Sequence, residues 1–176
     1  MSRYRRAKIE GGTFFFTVTL AARPSDLLVC EVGRFRSAYR AVQAKKPFQT
    51  DAICILSDHL HAVWTLPPGD DDYASRWMMI KAGFSRGLPV SNLRSNSKLA
   101  KREKGIWQRR YWEHAIRNDT DFERHVDYIH YNPVKHGLVA RAADWPYSSF
   151  HRYVEQGILP ADWGGHAIDV AGRFGE

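Results

Sequence analysis

Two histidines one residue apart, His59 and His61, sit inside the apolar run ILSDHLHAVWTLP at residues 55–67. Leu60 separates them and Ala62, Val63 and Trp64 follow, a composition that suits a β-strand. Side chains alternate faces along a strand, so residues two apart leave one face with Cα atoms roughly 6.5–7 Å apart. Two imidazoles so placed can chelate a cation, and they can equally be ordinary histidines on a half-buried strand. A second pair of chemically able groups lies in HVDYIHYNPVKHGLV, where Tyr128 and Asn132 are four residues apart and share a helix face. The phenol can act as a nucleophile and the amide oxygen as a ligand. Two imidazoles and one amide oxygen form a mixed N/O set suited to Mg²⁺ or Mn²⁺, with phosphate oxygens completing the shell. An ion held there polarises a phosphodiester and aligns it with a phenolic oxygen.

Tyr131 is the competing nucleophile on the same helix. Three residues turn the helix by 300°, so Tyr128 and Tyr131 point only about 60° apart and facing alone does not choose between them. Asn132 shares the face of Tyr128 but points about 100° from Tyr131, which favours Tyr128. Tyr131 is also expected in a fraying last turn before Asn132-Pro133, packing the helix end.

These groups need a scaffold, and the hydrophobic pattern suggests one. TFFFTVTLA, from Thr13 to Ala21, reads as a buried strand. Ser25 is placed to cap one helix running to about Ala44, with Leu28, Val32, Phe35, Tyr39 and Val42 at helical spacing. FQTDAICIL and HAVWTL read as two strands joined by a short Ser-Asp turn. A helix over Tyr73 to Phe84 follows three aspartates that suit its positive end. Residues 91–105 read as a mobile basic loop, and IWQRRYWEHAIR as the fourth strand. Thr120 and Glu123 spell a capping box that opens a helix from Asp121 to about Tyr131, with Pro133 closing it. The order strand, helix, strand, strand, helix, strand predicts an α+β, ferredoxin-like split β-α-β fold: a four-stranded antiparallel sheet with helices on one face, plus a catalytic helix and a C-terminal tail. Residues 1–143 are expected to form the catalytic domain, with 144–176 a tail packed on it.

Charge indicates the partner. The chain of 176 residues is 44% apolar and carries a formal net charge of +7. Residues 76–110 hold ten Lys/Arg against a single acid, Glu103, and RYRRAK near the N-terminus adds Arg3, Arg5 and Arg6. Nucleic acid is the commonest polyanion such a distribution serves. Cys30 and Cys54 make no zinc-type spacing, and a reduced cytoplasmic setting fits them. No stretch approaches the ~18 apolar residues of a membrane span.

The chain resembles the REP-associated tyrosine transposases, a branch of the HUH single-strand DNA endonucleases. The resemblance runs from YRRAKIEGGTFFFTVTL through DHLHAVWTLPPGDDDYASRW, IWQRRYWEHAIRN and HVDYIHYNPVKHGLV to DWPYSSFHRYV. It implies a ferredoxin-like fold, His59 and His61 as paired metal ligands, Asn132 as third ligand and Tyr128 as nucleophile. It further implies cleavage of single-stranded DNA to a 5′-phosphotyrosine adduct and a free 3′-hydroxyl, without ATP. The implied partner is a short imperfect hairpin with a single-stranded tetranucleotide at its foot, handled by a nucleoid-associated monomer more than a dimer. Splayed bases need aromatic platforms and a basic track. Trp112, Arg109 and Arg110 on the fourth strand are candidates, with Trp107 and Tyr111 beside them and Lys135 as a phosphate contact.

Two rivals are weighed. A non-catalytic hairpin DNA- or RNA-binding protein, a retired transposase, accounts for the charge but leaves the His/Tyr/Asn set unexplained. A zinc deaminase needs His-x-Glu and Pro-Cys-x-x-Cys, and both are absent.

Overall fold

The computed structural model describes residues 6–92 and 94–164. Arg3 and Arg5 lie outside the described residues, as does the tail beyond Gly164. Strands β1 (Thr13–Thr19), β2 (Gln49–Ile55), β3 (His59–Thr65) and β4 (Trp112–Ala115) form one sheet in the order β2-β3-β1-β4. Every pairing is antiparallel, so the sheet has the ferredoxin-like topology expected from the element order.

The three phenylalanines of β1 show how alternation builds two cores. Phe14 and Phe16 point to one face, where they meet Trp64 of β3 and the helices α2 (Val32–Lys45) and α3 (Tyr73–Ser85). Tyr73, Trp77, Ile80 and Phe84 recur at helical spacing along α3, and Trp77 stacks on Trp64 with ring centroids 4.2 Å apart. Phe15 points to the opposite face, into a smaller core with Val63, Cys54, Val126 and Ile129. That face is covered by α5 (Asp119–Lys135), the helix that carries Tyr128. Helices α2 and α3 thus cover one face, and α5 covers the other.

Several local expectations are corrected. The expected single helix after Ser25 is two, α1 (Leu27–Cys30) and α2, broken at Glu31. Glu31 leaves helical geometry with φ −107° and ψ 26° while its N–H still donates to Leu27 and its carbonyl accepts from Phe35, so the two helices follow one another directly. The fourth strand is short: Trp107 makes an isolated bridge to Leu20, and the chain bulges before regular pairing resumes at Trp112. Residues 91–105 are not an unstructured loop. They contain α4 (Asn96–Ala100), capped by Ser95, and Lys104 donates to the carbonyls of Ser85 and Leu88.

At α5 the cap is Asn118, whose side-chain oxygen accepts from Asp121 N–H at 2.9 Å, in place of the Thr120/Glu123 box. Pro133 does not end the helix. Near a C-terminus the missing N–H costs a single backbone bond, and His136 N–H to Asn132 and Leu138 N–H to Pro133 close the turn. Asn132 therefore keeps helical geometry, and Tyr131 lies inside the helix and not in a frayed turn. Arg76, one of the ten basic residues counted as surface charge, is buried. It forms a two-pronged ion pair with Asp70 and donates to the carbonyls of Lys46, Pro47 and Asp72.

The C-terminal segment covers the exposed edge of β2. Ile55 N–H donates to Tyr147, Ser149 N–H donates to Ile53, and Trp145 Nε1 reaches the Ile55 carbonyl. This capping protects an edge strand from pairing with another chain. It also buries His130 of α5, whose Nε2 shares a 3.0 Å hydrogen bond with Ser149 Oγ. Burial pulls His130 down to about 3, with Arg152 and His151 adding to the shift. The unfolded chain therefore binds one more proton than the native one between pH 6.5 and about 3. Stability is full above pH 6.5 and falls with acid through that window, by up to about 1.4 kcal/mol per pH unit. Urea titrations of wild type and His130→Gln at pH 7 and pH 5 check this: the variant should lose less stability on acidification, and equal losses would refute it.

Candidate active site on the α5 face of the sheet

The register of β1 and β3 places His59 opposite Thr19 and His61 opposite Thr17, with both imidazoles on the face that α5 covers. Each ring is held at Nδ1. His61 Nδ1 shares a 2.8 Å hydrogen bond with Thr17 Oγ1, and His59 Nδ1 lies 2.7 Å from Asp58 Oδ1. Asp58 is in turn fixed by Arg23 at 2.8 Å. Engagement of Nδ1 makes Nε2 the atom able to ligate, and both Nε2 atoms are buried. The ring centroids are 5.0 Å apart. Burial lowers the His59 pKa against the opposing pull of Asp58, which favours the neutral imidazole a metal requires.

Helix α5 brings the tyrosine to the same place. The Tyr128 ring lies edge-on to His61 with centroids 5.2 Å apart, and Phe15 packs against both. Lys135, two turns further along this face, donates to Tyr128 Oη at 3.1 Å and holds its ammonium 4.9 Å from the ring centroid. Asn132 lies between them, fully buried along with its amide oxygen. The donor set of two neutral imidazoles and an amide oxygen fits a hard-to-borderline divalent ion. His136 joins the rim, its ring 5.2 Å from His59. A cleft of about 590 Å³ opens there between Arg23, Ser25, Ser57, His59 and His136.

The expected DNA contacts divide between two sides of the sheet. Trp112 pairs with Thr17, which bonds His61, so its exposed indole lies on the face that α5 covers. Lys135 is on this face too. Arg6 instead covers the Tyr111 ring at 4.8 Å on the α3 side, where Tyr111 packs toward Phe16 and Trp77. Arg109 is there as well, paired with Glu103 and bonded to Ser97. Both line a groove of about 820 Å³ beside α3. Arg110 is exposed, and Trp107 is a core residue against Phe84.

One grouping escapes the sequence reading. His114 of β4, Asp121 and His125 of α5 come together at the mouth of the helix, with one donor atom from each within 4.8 Å of the others. The i, i+4 spacing of Asp121 and His125, and the alternation of His114 with Trp112, were its available signals.

A helix-borne tyrosine against a strand-borne histidine pair, on a four-stranded antiparallel sheet, is the outline of a DNA-processing tyrosine enzyme. Comparison with known proteins defines the family. The REP-associated tyrosine transposase of Escherichia coli is 47% identical over 97% of this chain and 96% of its own length. A relative from Haemophilus influenzae named for the same family is 52% identical over 94% of this chain and 95% of its own. A solved structure of a REP-associated tyrosine transposase bound to a REP hairpin superposes with a TM-score of 0.86 at 46% identity, covering 100% of this chain and 98% of that one. No family model matches. The chain belongs to the REP-associated tyrosine transposases, and its α+β fold is theirs.

Proposed function

We propose that the protein is a metal-dependent single-stranded DNA endonuclease and strand transferase that acts on palindromic hairpin DNA through a 5′-phosphotyrosine intermediate. The observation that carries this reading is the contact of Tyr128 with His61 on one side and Lys135 on the other. Nε2 of His59 and His61 and Oδ1 of Asn132 would hold Mg²⁺ or Mn²⁺, which supplies Lewis-acid polarisation of the scissile phosphate. Asp58 and Thr17 fix the two rings so that the ligating nitrogens need no reorganisation. Lys135 stabilises negative charge at Tyr128 Oη as the phenol gives up its proton, to solvent or to the leaving 3′ oxygen. Tyr128 Oη then bonds to phosphorus, the P–O3′ bond breaks, and the departing 3′ oxygen takes up a proton. Reversal joins strands, because the phosphodiester bond energy is kept in the adduct.

A hairpin substrate follows from the solved relative, which is bound to a REP hairpin. Trp112 would stack an unpaired base beside the catalytic face, while Arg6, Arg109 and Arg110, with Arg3 and Arg5, would track the phosphates. Residues 1–143 would serve as the catalytic unit, with the tail completing the same domain, in a nucleoid-associated monomer. Trp112→Ala should weaken binding of a hairpin with a single-stranded foot by about 1–3 kcal/mol, roughly 5- to 150-fold. Binding should also fall steeply between 50 and 200 mM salt. Fluorescence anisotropy reads both, and unchanged affinity in Trp112→Ala would remove the indole from the DNA path. The direct test of function is incubation of the protein with hairpin oligonucleotides and Mn²⁺. A denaturation-resistant protein–DNA adduct is expected, and its absence on every cleavable hairpin offered would refute the proposal.

A further inference from the structure

His114, Asp121 and His125 lie on the catalytic face but outside the set used above. The Asp121 carboxylate reaches both rings, one oxygen to each: Oδ2 is 2.9 Å from His114 Nε2 and Oδ1 is 3.3 Å from His125 Nδ1. The two imidazoles lie nearly parallel, 4.7 Å between centroids and 14° between planes. Asp121 and His125 are almost buried, whereas His114 retains 28% of its side-chain exposure and opens the group to solvent. Phe15 stands between this group and the catalytic histidines, its ring 4.8 Å from His125 and 5.6 Å from His61.

We propose that these three residues form a second divalent-cation site, distinct from the one assigned to His59, His61 and Asn132, which takes a borderline transition-metal ion of the zinc class. Two imidazoles and one carboxylate are a common zinc set, leaving a fourth position for water. Bond lengths of about 2.0–2.2 Å require the donors to draw closer than 4.8 Å, which small rotations of His114 and His125 supply. Coordination replaces the bond of His125 Nδ1 to the Asp121 carbonyl, and the Arg117 guanidinium, 3.3 Å from Asp121 Oδ2, swings outward from its exposed position. The ion would tie β4 to the first two turns of α5, with His125 about one turn before Tyr128. Its role is to fix the catalytic helix on the sheet.

The site is independent of the chemistry proposed for Tyr128, and ion counting separates the two. Metal-stripped full-length protein is dialysed against Zn²⁺ and the bound ion measured per chain. Wild type should bind two ions, His59→Ala/His61→Ala one, and Asp121→Asn/His125→Gln one. Zn²⁺ should also raise the melting temperature of the His59→Ala/His61→Ala protein. An Asp121→Asn/His125→Gln protein that binds as many ions as wild type overturns the proposal. Should that variant fail to fold, the His59→Ala/His61→Ala protein still decides: no ion bound there means no second site. A His59→Ala/His61→Ala protein that keeps both ions instead contradicts the catalytic metal assignment, and leaves the second site to be judged by the Asp121→Asn/His125→Gln count.

Discussion

Tyr128→Phe will abolish the covalent protein–DNA adduct, a loss on the order of 10³-fold or more in cleavage, while hairpin affinity changes little. The substitution removes one buried oxygen and leaves the ring against His61 and Phe15. Lys135 loses its hydrogen bond to Tyr128 Oη but keeps its position over the ring. Tyr131→Phe should retain most activity, since Tyr131 points about 100° from Asn132, whereas Tyr128 is the tyrosine set against His61 and Lys135. The two variants are compared by denaturing gel after reaction and by anisotropy before it. Loss of adduct in Tyr131→Phe alone would reverse the assignment.

The second large effect is expected from His59→Ala/His61→Ala. With both imidazoles gone, the site loses transition-state stabilisation worth several kcal/mol, or about 10²–10⁴-fold in rate. Hairpin binding should persist, because apart from the scissile phosphate the contacts proposed for the DNA are made by other residues. Asn132→Ala should have a milder effect, an amide oxygen being the weakest ligand of the three. Asp58→Asn, which disturbs the ring orientation of His59 without removing a ligand, should cost about 10–100-fold. Rates are measured with Mn²⁺ and with EDTA. Full cleavage by the double variant in EDTA would end the metal reading.

The sequence carried the frame of this site better than its edges. The β-branched and aromatic composition of TFFFTVTL and HLHAVWT located the central strands, because a strand buried on both faces reads as a nearly continuous apolar run. The four-residue spacing of Tyr128 and Asn132 placed both on one face through a fixed periodicity. What periodicity does not encode was missed. The break at Glu31, the Asn118 cap and the passage of α5 through Pro133 are set by single hydrogen bonds that compete with equally good local alternatives. Residues 91–105 look unstructured by composition, yet Lys104 and Lys98 anchor them to the backbone carbonyls of Ser85, Leu88 and Trp107. The burial of Arg76 was equally hidden, since its partner Asp70 is recognisable only once the preceding turn is folded. The separation of Trp112 from Arg109 and Arg6 onto opposite sides of the sheet depends on where the β4 bulge falls. The His114–Asp121–His125 group joins a strand to a helix across a turn, so no single periodic pattern contains it.

The central claim is that Tyr128, facing the histidine pair, is the residue that takes the DNA. It is tested most directly by peptide mapping of the adduct trapped with a hairpin oligonucleotide in the presence of Mn²⁺. After protease and nuclease digestion, mass spectrometry should find the nucleotide remnant as a 5′-phosphate ester on Tyr128 within HVDYIHYNPVK. A remnant on Tyr131, or on any residue outside α5, would contradict the account.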